Sequence, residues 1–171
     1  MDLRRRNLLR GHINSNQTPN YLPWLKSADK FYAECTRCYD CVEVCAENII
    51  IKGDGGYPSI DFKQGECSFC RKCVQSCGQD LFHQTSNHPP WRNKAQISTQ
   101  CLATQNISCQ SCQDSCESRA IKFDYQLGAI PHPKINLENC TGCGACVSVC
   151  PNWAISIKPE LNPLQSGINI S

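Results

Sequence analysis

Residues 140–151 read CTGCGACVSVCP. In this stretch Cys140, Cys143, Cys146 and Cys150 follow the spacing C-x2-C-x2-C-x3-C. The same spacing recurs in Cys35, Cys38, Cys41 and Cys45, within CTRCYDCVEVC, and in Cys67, Cys70, Cys73 and Cys77, within CSFCRKCVQSC. A fourth group, Cys101, Cys109, Cys112 and Cys116, keeps the last two intervals but places seven residues between its first two members. The chain has sixteen cysteines, and the four runs use all of them.

The spacing has a physical reason. Each iron of a four-iron, four-sulfide cubane offers one outward position to a thiolate, and a tight C-x2-C-x2-C loop wraps three corners. The fourth thiolate arrives from elsewhere. In ferredoxins with two clusters, the fourth cysteine of each run ligates the other cluster. The runs therefore predict pairs of [4Fe-4S] sites. In the first pair, Cys35, Cys38 and Cys41 join Cys77 (site 1), and Cys67, Cys70 and Cys73 join Cys45 (site 2). In the second pair, Cys101, Cys109 and Cys112 join Cys150 (site 3), and Cys140, Cys143 and Cys146 join Cys116 (site 4). The long first interval of the third run leaves interleaving open in this second pair. A structural zinc site joins two C-x2-C pairs across a longer loop and has no use for a third cysteine three residues on. Disulfides would satisfy the even count, but they do not call for one run of intervals repeated along the chain.

The repeat extends past the ligands. Each fourth cysteine is followed at the same offset by an apolar pair: Ile49–Ile50, Leu81–Phe82, Ala120–Ile121 and Ala154–Ile155. Successive fourth cysteines are 32, 39 and 34 residues apart, and the long middle step contains HQTSNHPPWRNKAQISTQ, residues 83–100, which reads as a linker. Short strands are expected at IIIK and PSIDF around the turn GDGG, and at AIKF and KINL around LGAIPHP. The fold class is small, irregular α+β: two tandem bacterial-type 2[4Fe-4S] ferredoxin-like modules, at 31–82 and 101–160. A basic arm (1–30) precedes them and a tail (161–171) follows.

The chain has 171 residues, and its 40% hydrophobic content includes the cysteines, so the aliphatic and aromatic core is thin. Composition alone would suggest a secreted disulfide scaffold for a short chain this rich in cysteine, but the spacing of the cysteines and the lack of a complete export signal argue against it. The residues RRRNLLRGHI, with Arg5, Arg6 and Arg10, look like the head of a twin-arginine export signal. The apolar stretch that such a signal needs is missing, because Asn14–Thr18 stand in its place, and no window is apolar enough to span a bilayer. The expectation is a soluble, cytoplasmic protein with a solvated basic arm and no membrane insertion. Residues 1–30 hold six of the 17 Lys/Arg but only Asp2 and Asp29 of the 15 acidic residues, so the body is slightly acidic. No basic patch with interleaved aromatics suggests a nucleic-acid partner.

These residues bear a family resemblance. The arginine-rich start, CTRC, GGYPSIDF, ECSFC, CQDSCE and CTGCGACVSVCP, with the odd third run in its place, make the chain similar to the NapF-type ferredoxins. These are accessory proteins of the bacterial periplasmic nitrate reductase system. The likeness is loose only in the first thirty or so residues and after AISIKP. It implies a cytoplasmic protein with four [4Fe-4S] clusters that assists maturation of the catalytic nitrate reductase subunit before that subunit is exported. The partner, and not this chain, would then be the exported species. The sequence departs from the common ferredoxin pattern where Ala46, Gly78 and Glu117 replace the proline that usually follows the fourth cysteine; only Pro151 keeps it. Glu117 puts a carboxylate beside a thiolate and disfavours reduction of the nearby cluster. The long Cys101–Cys109 loop makes site 3 the expected least stable site.

No catalytic constellation, flavin motif or nucleotide motif is present, so the chain is not expected to be an enzyme in its own right. His12, His83, His88 and His132 read as solvated, Trp24, Trp91 and Trp153 as packing anchors, and Tyr57 and Phe62 as covers for a cluster. Electron transfer is the expected chemistry. Each oxidised cubane with four thiolates carries about −2, which takes the formal charge from +2 to about −6 and favours partners with basic surface. Two roles follow: an accessory protein acting on an immature metalloenzyme, or an electron carrier feeding a mature reductase complex.

Overall fold

A computed structural model describes residues 21–85, 87–125 and 130–160. The arginines of the arm, the 161–171 tail and part of the LGAIPHP turn lie outside the described residues. The described chain is a mixed arrangement of short helices and strands. In order they are α1 (Ala28–Glu34), α2 (Asp40–Glu43), β1 (Ile50–Lys52), β2 (Pro58–Ile60), α3 (Lys72–Gln75), β3 (Asn93–Ile97), α4 (Ser111–Asp114), β4 (Ile121–Asp124), β5 (His132–Ile135), α5 (Ala145–Ser148) and β6 (Ile155–Pro159). Three antiparallel two-stranded ladders form: β1 with β2, β4 with β5, and β3 with β6.

The sequence repeat is a structural repeat. Each run delivers its third cysteine on a one-turn helix, Cys41 on α2, Cys73 on α3, Cys112 on α4 and Cys146 on α5, and these helices pack as α2 with α3 and α4 with α5. The apolar pairs after the fourth cysteines are all buried. After Cys45, Cys116 and Cys150 the chain makes the same turn: the N–H of Asn48, Arg119 or Trp153 donates to the cysteine carbonyl at 3.0, 2.9 and 3.2 Å, and each of these residues adopts positive φ. The second run turns differently, with Leu81 N–H donating to Gln79 O at 2.8 Å.

Two segments are more structured than composition suggested. Residues 93–97, inside the expected linker, form β3, whose five residues pair with all five of β6 from Asn93–Pro159 to Ile97–Ile155. In the first half the corresponding closure is a single bridge, Leu25 with Phe82, flanked by the hydrogen bonds Lys26 N–H to Leu81 O and His83 N–H to Trp24 O. Residues 21–30, the end of the expected arm, are packed: Leu22 and Trp24 are buried in the core. Ser27 caps α1 by accepting from Lys30 N–H at 3.1 Å, and the helix buries Phe31 before handing over Cys35.

The two halves share one core. Phe62, Trp91, Phe69 and Trp24 form an edge-to-face series with centroids 5.9, 5.7 and 6.3 Å apart. Trp91 Nε1 donates to Thr141 O at 2.9 Å, and Cys67 N–H donates to Cys143 O at 2.8 Å. Phe62 also rests on Gly144, where a Cβ would come within 2.6 Å of the ring. The fourth run needs glycine there because another chain segment occupies the space.

Candidate iron–sulfur sites

Three thiols of a C-x2-C-x2-C loop can face one centre only if the loop curls, and the backbone does so in a repeated way. The second cysteine of three runs is bracketed by left-handed residues: Arg37 and Tyr39 around Cys38, Phe69 and Arg71 around Cys70, Gly142 and Gly144 around Cys143. Arg71 is held in that conformation from outside. Its guanidinium donates to His83 O at 2.8 Å and Gln84 O at 3.0 Å, and lies 4.5 Å from the Trp24 ring centroid. The third run has no such bracket. A 3-10 turn at Ala103–Gln105 carries the longer loop, tied down by Thr104 Oγ1 donating to Cys101 O at 2.7 Å and by the fully buried Ala103.

All sixteen cysteines are free thiols. One hollow is lined by Cys35, Cys38, Cys41 and Cys77 and walled by Leu22, Phe31, Tyr39 and Phe82. A second is lined by Cys45, Cys67, Cys70 and Cys73, under Trp24 and Phe69. A third is lined by Cys116, Cys140, Cys143 and Cys146, with Ala95, Ile121 and Ile157 as its floor. Cys101, Cys109, Cys112 and Cys150 remain, and Cys112 lies near enough to feel Cys101, Cys109 and Cys150. In each of the three hollows a fourth cysteine from one run stands with the first three of another.

Burial and mutual repulsion act together on these groups. Burial first, then neighbouring thiols, push Cys41, Cys67 and Cys146 up to about 12 and Cys73 and Cys112 up to about 11. For Cys41 the neighbours are Cys73 first and then Cys35, Cys38 and Cys77, and for Cys67 they are Cys73, Cys70 and Cys45. Without metal such thiols hold their protons at neutral pH, and binding iron releases them. The donor set fits a cubane. Four soft thiolates meet around a hollow with apolar walls, whereas zinc at about 2.3 Å from each sulfur would draw its ligands to a point. Among the described residues no three His, Cys, Asp or Glu side chains converge to hold a single ion.

Comparison with known proteins agrees with this chemistry. The 4Fe-4S dicluster domain family matches residues 107–154, and the 4Fe-4S binding domain family matches residues 35–49. The chain is 44% identical over 167 residues to the ferredoxin-type protein NapF of Haemophilus influenzae, covering 92% of this chain and 94% of that protein. It is 41% identical over 158 residues to the NapF of Escherichia coli K12, covering 92% and 96%. The chain belongs to the NapF-type ferredoxins. It is thus an iron–sulfur electron-transfer protein with ferredoxin-type domains. The dicluster match begins after Cys101, and neither family match of this NapF-type chain reaches Cys67, Cys70, Cys73 and Cys77.

The structure also moves several residues from their expected places. Phe62 packs at the junction of the halves, and Tyr57 stands one layer behind site 1, against Phe31 and Tyr32, with its hydroxyl donating to Tyr32 O at 3.1 Å. The rings that line hollows are instead Phe31, Tyr39 and Phe82 at the first and Trp24 and Phe69 at the second. Trp153 is 54% exposed, with Lys63 over its ring, and is no core anchor. The apolar cluster YLPWL, Tyr21–Leu25, was the sequence signal for Leu22 and Trp24. His83 is not simply solvated: its ring stacks on His88 with centroids 4.0 Å apart. Glu117 is exposed and acts on Glu66, whose carboxyl is raised by burial first and then by Glu117 and Glu47. Negative charge from three carboxylates therefore gathers beside Cys45, Cys67 and Cys116.

Proposed function

We propose that the chain carries four [4Fe-4S] clusters in two tandem 2[4Fe-4S] modules. Cys35, Cys38, Cys41 and Cys77 hold site 1, and Cys45, Cys67, Cys70 and Cys73 hold site 2. Cys101, Cys109, Cys112 and Cys150 hold site 3, and Cys116, Cys140, Cys143 and Cys146 hold site 4. The observation that carries this reading is that Cys77, Cys45 and Cys116 each line a hollow with the first three cysteines of another run, which leaves Cys150 with Cys101, Cys109 and Cys112. When bound, a cubane supplies one-electron chemistry with little change of shape. The chain's own residues supply the thiolates, exclude water with Phe31, Phe82, Trp24 and Phe69, and fix the loops through left-handed residues.

The role we assign is assistance to cytoplasmic maturation of the periplasmic nitrate reductase catalytic subunit before its export. The chain acts there as a cluster-bearing accessory and not as an enzyme in its own right. Family membership supports this role. No helix among the described residues is long and apolar enough to cross a membrane. Affinity capture with the anaerobically prepared holoprotein tests the role. Recovery of the unexported, cofactor-poor catalytic subunit is the expected result, and recovery of only mature reductase complexes would replace maturation with electron supply.

A further inference from the structure

The four runs provide an internal comparison at the residue two positions past the fourth cysteine. Those residues are Glu47, Gln79, Ser118 and Asn152. Only Ser118 brings a hydroxyl, and its Oγ lies 3.5 Å from Cys116 Sγ. The chain then turns through Arg119 at φ 51, and Ala120 N–H reaches the same sulfur at 3.3 Å. A turn of this kind aims backbone N–H groups into a concavity that favours negative charge. Cys150 receives the equivalent N–H from Ala154 at 3.3 Å. Its Asn152, however, turns its amide away to Gln100 O at 2.5 Å.

We propose that Ser118 is a potential-setting residue: its hydroxyl donates to the Cys116 sulfur and stabilises the reduced state of the cubane held by Cys116, Cys140, Cys143 and Cys146. A metal-bound thiolate has no proton to give, so the hydroxyl is the donor. Adding one electron from an external reductant makes or breaks no bond and leaves the Ser118 proton in place, but it puts more negative charge on the ligand sulfurs. A donor bonds the more charged sulfur more strongly, so its presence raises the potential. The inference rests on the four-cluster reading above.

The test is an anaerobic titration of the full-length holoprotein with dithionite, followed by electron paramagnetic resonance, for the unmodified protein, Ser118→Ala and Ser118→Thr. The expected result is that Ser118→Ala moves one midpoint to more negative potential and leaves the others in place, that Ser118→Thr restores it, and that iron and sulfide contents do not change. Full iron with every midpoint unmoved in Ser118→Ala overturns the proposal. Should Ser118→Ala lose iron, the comparison passes to Asn152→Ser and Asn152→Ala. There the added hydroxyl beside Cys150 raises a different midpoint, and equal midpoints in the two variants overturn the proposal. An unmodified protein without iron or sulfide would bring down the four-cluster reading itself.

Discussion

Substituting Gly144 by alanine tests how the halves are joined. Gly144 sits at φ 91, and an added Cβ would come to 2.5 and 2.6 Å from Phe62 Cγ and Cε1 and closer still to Cδ1. Holding a non-glycine residue in the left-handed region costs about 1–2 kcal/mol, and overpacking against a buried ring costs about 1–3 kcal/mol. Together they predict a loss of roughly 2–5 kcal/mol for Gly144→Ala, or a fall in melting temperature of roughly 4–20 °C. Phe62→Ala alone removes a buried ring and costs about 3–5 kcal/mol. In the double variant the clash is gone while the backbone strain stays, so the two losses fall short of additive by about 1–3 kcal/mol. The assay is thermal unfolding of the four anaerobically prepared proteins at one scan rate, because cluster loss makes unfolding irreversible. Additive losses, or a Gly144→Ala protein as stable as the unmodified one, would refute the packing argument.

The ligand sets make a prediction that pairs distant residues. Cys38→Ser and Cys77→Ser deplete one and the same paramagnetic signal, and Cys45→Ser depletes the signal lost in Cys70→Ser; matching of Cys77 with Cys70 instead would break the interleaved assignment. Timed exposure of the holoprotein to an iron chelator removes about a quarter of the iron first, from site 3, and Cys109→Ser abolishes that early phase; uniform loss from all sites contradicts it. Glu117→Gln raises one midpoint, opposite in sign to Ser118→Ala and at the same cluster, since it removes a carboxylate beside Cys116; an unchanged or lowered midpoint contradicts the electrostatic reading.

Chemistry was more legible in the sequence than architecture was. Cysteines at fixed intervals announce a cubane because few other centres use that spacing, and the apolar pairs at constant offset announced a buried repeat that Ile49, Leu81, Ala120 and Ala154 form in the structure. The strand pair around GDGG was readable from alternation and a glycine turn, and it forms between Ile50–Lys52 and Pro58–Ile60. β3 was not readable. Its residues NKAQI follow Pro89 and Pro90 in a polar stretch, and their partners, Ile155–Pro159, lie about sixty residues away. Only the ladder makes Ala95 a core residue. The same holds for Ser118, whose meaning depends on a backbone turn that aims it at Cys116 and on the absence of a hydroxyl at the three equivalent positions. Phe62 shows the limit from the other side: its aromatic character marked it as a cover, but the cover it provides is over Gly144, at the junction of the halves.

Everything turns on thiolates gripping inorganic cubes. Iron, acid-labile sulfide and zinc measured together on anaerobically purified protein test this directly. About sixteen iron atoms and about sixteen sulfides per chain are expected, with zinc at trace level. A colourless, folded protein with stoichiometric zinc, or with neither metal nor sulfide, would contradict that expectation.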